Sequence, residues 1–301
     1  IPAMVERGYD KYFSAALVAA AGCVGVMIPP SNPFVVYGIS AQVSIGDLFM
    51  SGIVPGIMVG IVLMSYCYWY SRKKGWRGQE KVRNARTLMH AAWDAKWALM
   101  VPVIVLGGIY GGICSPTEAA TISIFYSLIV SLFIYRTIKI RDLPKIMLEG
   151  IHSYAPILII LSAAVAFARV ITLMNVATIV SEAVLSAISS KVVILLLINV
   201  LLLFVGMIMD TGPAILVFTP VLLPVAEAIG VDPIHFGIIM CVNLAIGFVT
   251  PPMGANLFVA SNLSKVSVFD IARKAVPFIL AFLIALLLIT FVPQISMFLL
   301  Q

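Results

Sequence analysis

One pattern of helix-interrupting residues occurs twice in this chain at a fixed spacing. The first copy reads Pro2, Gly8, Asp10, Gly25, Pro29-Pro30 and Pro55, and the second reads Pro224, Gly230, Asp232, Gly247, Pro251-Pro252 and Pro277. Each residue of the second copy follows its mate by 222 positions, without a gap. Proline removes a backbone N–H and glycine frees φ, so each copy dictates an apolar helix that breaks and restarts. Two such interrupted segments at corresponding places in two halves of a membrane chain point to a transporter's binding site.

The chain belongs in a membrane. Hydrophobic residues make up 62% of it and charged residues 11%, a balance foreign to soluble domains. Apolar stretches near the ~20 residues needed to span a bilayer recur along its length. The net charge of +6 resides in short loops between apolar segments, where it sets orientation and gives no nucleic-acid signal. Cys23, Cys67, Cys114 and Cys241 lie far apart without metal-ligand spacing, and read as small packing residues. With three histidines and no nucleophile–base or metal motif, the sequence gives no support for an enzyme.

The pattern predicts a broken helix over 11–28 and 32–41, then a span over 47–71 ending in an aromatic belt of Tyr66, Tyr68, Trp69 and Tyr70. A basic loop comes next (Arg72, Lys73, Lys74, Arg77, Lys81, Arg83 and Arg86 against Glu80) and is expected on the cytoplasmic side. An interfacial helix at 87–96 leads to a span at 97–113; Ser115 or Thr117 caps the next span, 118–135, with Glu118 in its first turn. Residues 153–173 cross again and 174–188 lie along the membrane. Two arms, 192–209 and 213–229, surround Asp210-Thr211-Gly212-Pro213 as a helical hairpin. The second copy then gives a helix at 233–249, a restart at 254–263, an interfacial piece at 266–274 and a last span at 275–297, with His235 expected at an exposed helix start.

The expected fold is therefore an all-α membrane protein, an inverted-repeat transporter with broken helices and a hairpin; an elevator-type motion is what the family resemblance given below implies. Its parts are the first broken helix (1–46), scaffold spans and loops (47–150), an outward span with an interfacial helix (151–190), the hairpin with the second broken helix (191–265), and a last scaffold span (266–301). Charge supports inversion. Arg7 and Lys11 precede the first broken helix and Arg72-Lys73-Lys74 follow the span after it, whereas in the second copy Arg273 and Lys274 precede the last span and none follow. Apolar material from roughly residue 150 onward precedes copy two and has no counterpart before copy one, so the chain reads as the C-terminal portion of a longer subunit.

A break inside a membrane exposes backbone groups that lipid cannot satisfy, so it is expected to line a cavity or bind something. Freed carbonyls suit Na⁺, and the restarting half-helix offers its positive end to an anion. Asp210, an acid between apolar spans, reads as an ion-site residue or a hairpin cap. Arg169, deep in a span, reads as a partner for a substrate carboxylate or as a snorkelling side chain. Ser31, Asn32 and Asn256, just past the breaks, read as substrate contacts or caps.

The chain resembles the large membrane subunit, DctM-like, of tripartite ATP-independent periplasmic (TRAP) transporters. The residues that carry the resemblance are Ile1-Pro2-Ala3-Met4 with Gly8-Tyr9-Asp10, Gly25 through Ile28-Pro29-Pro30-Ser31, and Ser115-Pro116-Thr117-Glu118-Ala119-Ala120. Gly206, Asp210, Pro220 and Pro224 match too, as do Asp232-Pro233-Ile234-His235-Phe236-Gly237 and Thr250-Pro251-Pro252 with Gly254. The resemblance implies a multi-pass protein of a bacterial inner membrane. It implies uptake of small organic acids driven by Na⁺ as coupling ion, without other cofactor. A small membrane (Q) subunit and a soluble periplasmic substrate-binding (P) protein are the implied partners, beside the bilayer and the upstream part of the same subunit. It implies one Na⁺ near Gly25, Ile28 and Pro30 and a second near Gly247, Thr250 and Pro252 with Asp210 close by. A stand-alone Na⁺/dicarboxylate or citrate symporter is the alternative within transport; a channel or membrane scaffold is the alternative outside it.

Overall fold

The computed structural model describes residues 1–76 and 85–300, together with the backbone but not the side chains of 85–87 and 153. Arg77, Glu80, Lys81, Arg83 and the side chain of Arg86, which form most of the expected basic loop, lie outside the described residues. The described residues form helices throughout: α1 (Pro2–Val5), α2 (Lys11–Met27), α3 (Asn32–Ala41), α4 (Ile45–Lys74), α5 (Ala85–Asp94), α6 (Lys96–Tyr110), α7 (Pro116–Ile129), α8 (Leu143–Leu173), α9 (Val176–Ala187), α10 (Lys191–Ile208), α11 (Thr211–Ala228), α12 (Pro233–Gly247), α13 (Ala255–Ser264), α14 (Val268–Phe291) and α15 (Gln294–Met297). Among them six are long and apolar enough to cross a membrane, or up to eight if each sharply bent pair is one span.

The chain divides into two compact units, Ile1–Arg77 with Ala163–Gln301, and Gly78–Ser162. In the smaller unit α5 and α6 meet at a bend of 70°, as an interfacial helix running into a span requires. Ser115, not Thr117, caps α7. Its hydroxyl accepts from the Glu118 N–H while Glu118 accepts from the Ser115 N–H at 2.7 Å, a reciprocal capping box. Tyr126 and Tyr135 donate to the carbonyls of Trp97 and Asp94, tying α7 and the turn after it back to α5 and α6.

In the larger unit the repeat is visible element by element. α2, α3 and α4 recur as α12, α13 and α14. Asp10 caps α2 through the Tyr12 N–H, and Asp232 caps α12 through the N–H groups of Ile234 and His235. Gly8 and Gly230 both take positive φ, 82° and 72°, in the turns before those caps. Pro55 and Pro277 both lie inside the long helix at the end of each copy. The copies interlock reciprocally: α14 packs on α2 and α4 on α12, α13 on α2 and α3 on α12.

The core lies where these helices cross, and α12 is buried from His235 through Gly247. Phe13 stacks on Tyr70 at 4.7 Å and Tyr66 meets Phe278 edge-on at 4.8 Å. Tyr66 and Tyr70 of the expected aromatic belt are thus half-buried against other rings. Tyr68 and Trp69 are exposed, with Arg72 and Lys73 over their rings. The structure corrects two expectations. Residues 268–274 are not a separate interfacial piece but the first turns of α14, because Ser267 starts a helix that runs unbroken through Pro277. The hairpin tip is tighter than expected: Asp210 caps α11, and Thr211 to Pro213 already form its first turn.

Candidate functional site

Both predicted breaks are present. α2 stops at Met27 and α3 starts at Asn32 with a bend of 41°; α12 stops at Gly247 and α13 starts at Ala255. The prolines set which carbonyls are freed. In an α-helix the N–H of residue i bonds the carbonyl of residue i−4, so Pro29 and Pro30 strip the donors from Gly25 and Val26, and Pro251 and Pro252 strip them from Gly247 and Phe248.

The two breaks settle this loss differently. At the first, the buried Ser31 hydroxyl turns back and donates to the Val26 carbonyl, while the Gly25 carbonyl keeps no helical donor. At the second, the chain tightens: Thr250 N–H bonds Gly247 O at 3.0 Å, and Asn256 N–H bonds Phe248 O at 3.0 Å. There the Met253 N–H, which a continuous helix would direct to Val249, bonds Met207 O on the hairpin at 3.1 Å. The Thr250 hydroxyl donates to Ile246 O at 2.8 Å.

The hairpin tip and the second break come together. A cavity of about 180 Å³ is lined by Gly206, Asp210, Phe248, Met253, Gly254 and Phe258, among others. Asp210 stands at its mouth, exposed, with Oδ1 accepting from Thr211 N–H at 2.8 Å. The approach depends on two glycines. A Cβ on Gly247 would lie 2.2 Å from the Gly206 carbonyl carbon, so backbone meets backbone there. At the first break, α4 offers Gly56 against Ile28 and Gly52 against Phe34. Neither restarting helix has a side-chain cap, so Ser31, Asn32 and Asn256 do not cap; the first turn of α3 keeps the Asn32 and Phe34 N–H groups, while in α13 the Asn256 N–H is already spent on Phe248 O.

Paired breaks, each set by a proline pair, with a hairpin seated on one of them, make the candidate site. Residues 1–295 match the family model of the tripartite ATP-independent periplasmic transporter, DctM component. The chain belongs to this family. It is 55% identical over 298 residues to the isethionate TRAP transporter permease protein DctMQ of Oleidesulfovibrio alaskensis, covering 99% of this chain and 47% of that protein. It is 38% identical over 297 residues to the C4-dicarboxylate TRAP transporter large permease protein DctM of Pseudomonas aeruginosa, covering 99% of this chain and 69% of that protein. To the sialic acid TRAP transporter large permease protein SiaM of Vibrio cholerae it is 33% identical over 299 residues, or 99% of this chain and 70% of the other. The chain thus spans about half the length of the first of these relatives. Membership and the apolar helices make it a multi-pass protein of a bacterial inner membrane, and a transport protein rather than an enzyme.

In this DctM-family chain the other expected site residues fall in separate places. Asn32 is exposed at the first turn of α3. Ile28 is 40% exposed and Pro30 is exposed. Arg169 is exposed on α8 and does not line the hairpin cavity. The Asn256 side chain turns to α2, donating from Nδ2 to Ala19 O at 3.0 Å. His235 corrects its expectation: it is buried, with Nε2 3.4 Å from Thr290 O, because α14 covers the face of α12 that carries it.

Sequence reasoning missed a buried polar seam beside the second break. Asn243 Nδ2 donates to Asn199 Oδ1 and to Ile239 O, and Asn199 Nδ2 reaches Thr290 Oγ1 at 3.2 Å, joining α12, α10 and α14. All three residues are buried, and Asn243 Oδ1 has no hydrogen-bond partner among the described residues. The signal was present: Asn199 and Asn243 are polar residues inside long apolar runs.

Proposed function

We propose that this chain forms the ion-coupled translocating part of a Na⁺-driven TRAP uptake system for small organic acids. The observation that carries the reading is the pair of breaks at equivalent positions of two repeats. In each, prolines remove the helical donors from carbonyls at the end of one half-helix and the next starts without a side-chain cap; at the second break Thr250 and Asn256 N–H groups take one lone pair of each of those carbonyls and leave the other. Carbonyls and Asp210 suit a cation; the positive ends suit an acid group. In this reading one Na⁺ lies at Gly25, Ile28 and Pro30 and another at Gly247, Thr250, Pro252 and Asp210. Ser31, Asn32 and the N-termini of α3 and α13 receive the acid, and Arg169 answers a second charge if the substrate carries one.

The relatives are named for isethionate, C4-dicarboxylate, sialic acid and 2,3-diketo-L-gulonate. What these share is a small anion bearing a carboxylate or sulfonate, and that is the proposed class here. The partners are a small membrane subunit, which the name DctMQ of the 55% identical relative joins to the large one, and a soluble periplasmic binding protein. The repeats are inverted across the membrane, as the opposite basic flanks support, and the breaks travel together in an elevator motion. α4 and α14, expected from sequence in the fixed scaffold, each pack against both broken helices. We therefore assign them to the moving body.

Uptake by proteoliposomes containing the full-length permease, its small subunit and the binding protein tests this reading. An imposed Na⁺ gradient drives accumulation of a small organic acid. No accumulation of any carboxylate or sulfonate with a functional binding protein overturns it.

A further inference from the structure

Asn256 cross-links the two broken helices. Its backbone N–H closes the second break onto the Phe248 carbonyl, one of the two that the prolines strip. Its side chain leaves that break and crosses to the other broken helix, where Nδ2 donates to Ala19 O at 3.0 Å and lies 3.6 Å from Cys23 Sγ. Ala19 and Cys23 are buried on successive turns of α2, and Cys23 stands two residues before Gly25. Gly22 makes room for the amide, since a Cβ there would lie 2.7 Å from Asn256 Nδ2. The repeat mate of Asn256 is Phe34, which is fully buried and packs over Gly52 of α4. One repeat thus seats an apolar ring on its own long helix, while the other sends a hydrogen-bonding amide into its partner's broken helix.

We propose that Asn256 is a positioning residue that couples the two breaks, so that ion occupancy at one sets the geometry of the other; this rests on the reading that the breaks hold the coupling ion. A change in the shape of 248–254 moves the Asn256 backbone through its bond to Phe248, and the amide carries that movement to Ala19 and Cys23, beside the first break. The bond is part-buried, with Ala19 and Cys23 themselves buried, so breaking it leaves the Ala19 carbonyl short of a partner at a cost. Coupling of this kind is reciprocal: each site alters the other's affinity by the same factor.

The test is Na⁺ activation of uptake in proteoliposomes holding the full-length permease, the small subunit and the binding protein. Three variants are compared: Asn256→Asp, which keeps the shape and loses the donor, Asn256→Ala, and Gly22→Ala, which leaves Asn256 intact and displaces its amide. The wild type shows cooperative activation. In the variants the Hill coefficient falls toward one and half-saturating Na⁺ rises by about fivefold or more, while KM for the acid at saturating Na⁺ keeps its wild-type value. Melting curves identify any variant that fails to fold, and Gly22→Ala alone then decides. Wild-type Hill behaviour in a folded Gly22→Ala variant overturns the proposal. So does a raised KM with unchanged Na⁺ activation, which would make Asn256 a substrate contact. Non-cooperative Na⁺ activation of the wild type overturns the coupling alone, whereas uptake by the wild type without any Na⁺ dependence overturns the ion reading and the coupling together.

Discussion

Gly206 and Gly247 meet backbone to backbone, one on the hairpin arm α10 and the other at the last residue of α12 before the second break. A Cβ on either would come within 3.1 Å of the other helix's backbone. This contact seats the hairpin tip on the break and brings Asp210 to the cavity at Met253 and Gly254. Gly247→Ala is therefore expected to force α10 and α12 apart. Overpacking of this kind costs about 1–3 kcal/mol, and the displaced tip removes Asp210 from the break. Uptake falls at least as far as thermal stability does; a Gly247→Ala protein with wild-type uptake contradicts the geometry.

Asp210 has two duties that one substitution separates. Asparagine keeps a side-chain oxygen for the Thr211 N–H and removes the charge; alanine removes both. Asp210→Asn is expected to melt as the wild type does and to need about tenfold more Na⁺ for half-maximal uptake, a loss of ~1.4 kcal/mol. Asp210→Ala adds about 1 kcal/mol of lost capping, read as a lower melting temperature. Equal Na⁺ requirements in the wild type and Asp210→Asn leave the residue a cap alone.

The buried seam gives a stability prediction. Thr290→Val leaves Asn199 without its α14 partner inside the core. Polar contacts between membrane helices are worth about 0.6–2 kcal/mol, so a loss of that size is expected in melting curves of the purified protein. Asn199→Leu combined with Asn243→Leu costs less than the two single changes added together, since each single change strands the other amide. Strict additivity means the side chains are not bonded to one another.

The inverted orientation of the repeats is open to direct labelling. Single cysteines placed at Lys11 and at Ile234, just inside equivalent ends of α2 and α12, are expected to react with an impermeant maleimide from opposite faces of the membrane. Reaction from the same face makes the repeats parallel.

The breaks were legible to within about two residues because proline and glycine act on their own stretch of chain, whatever packs alongside. Pro29-Pro30 and Pro251-Pro252 end helices in any fold, and Asp10 and Asp232 cap the helices α2 and α12 that lead into them. Side-chain duties were not legible in the same way. His235 reads as exposed beside Asp232-Pro233, and only the arrival of α14 buries it. Asn256 reads as a cavity residue, yet Gly22, 234 positions earlier in the chain, draws its amide to α2. Tyr66 and Tyr70 read as an interfacial belt, and their ring partners, Phe278 and Phe13, could not be read from their own stretch. In each case the deciding partner comes from the other repeat or from a distant helix, which local pattern does not encode.

The central claim is that the two breaks couple transport to Na⁺. The most direct measurement is uptake of a small organic acid by proteoliposomes with the full-length permease, its small subunit and the binding protein, with external Na⁺ replaced by choline at constant pH and ionic strength. The account predicts that accumulation is lost in choline and returns in proportion to added Na⁺. Undiminished accumulation in choline, with no compensating dependence on a proton gradient, would contradict it and reduce the breaks at Gly25–Pro30 and Gly247–Pro252 to structural kinks.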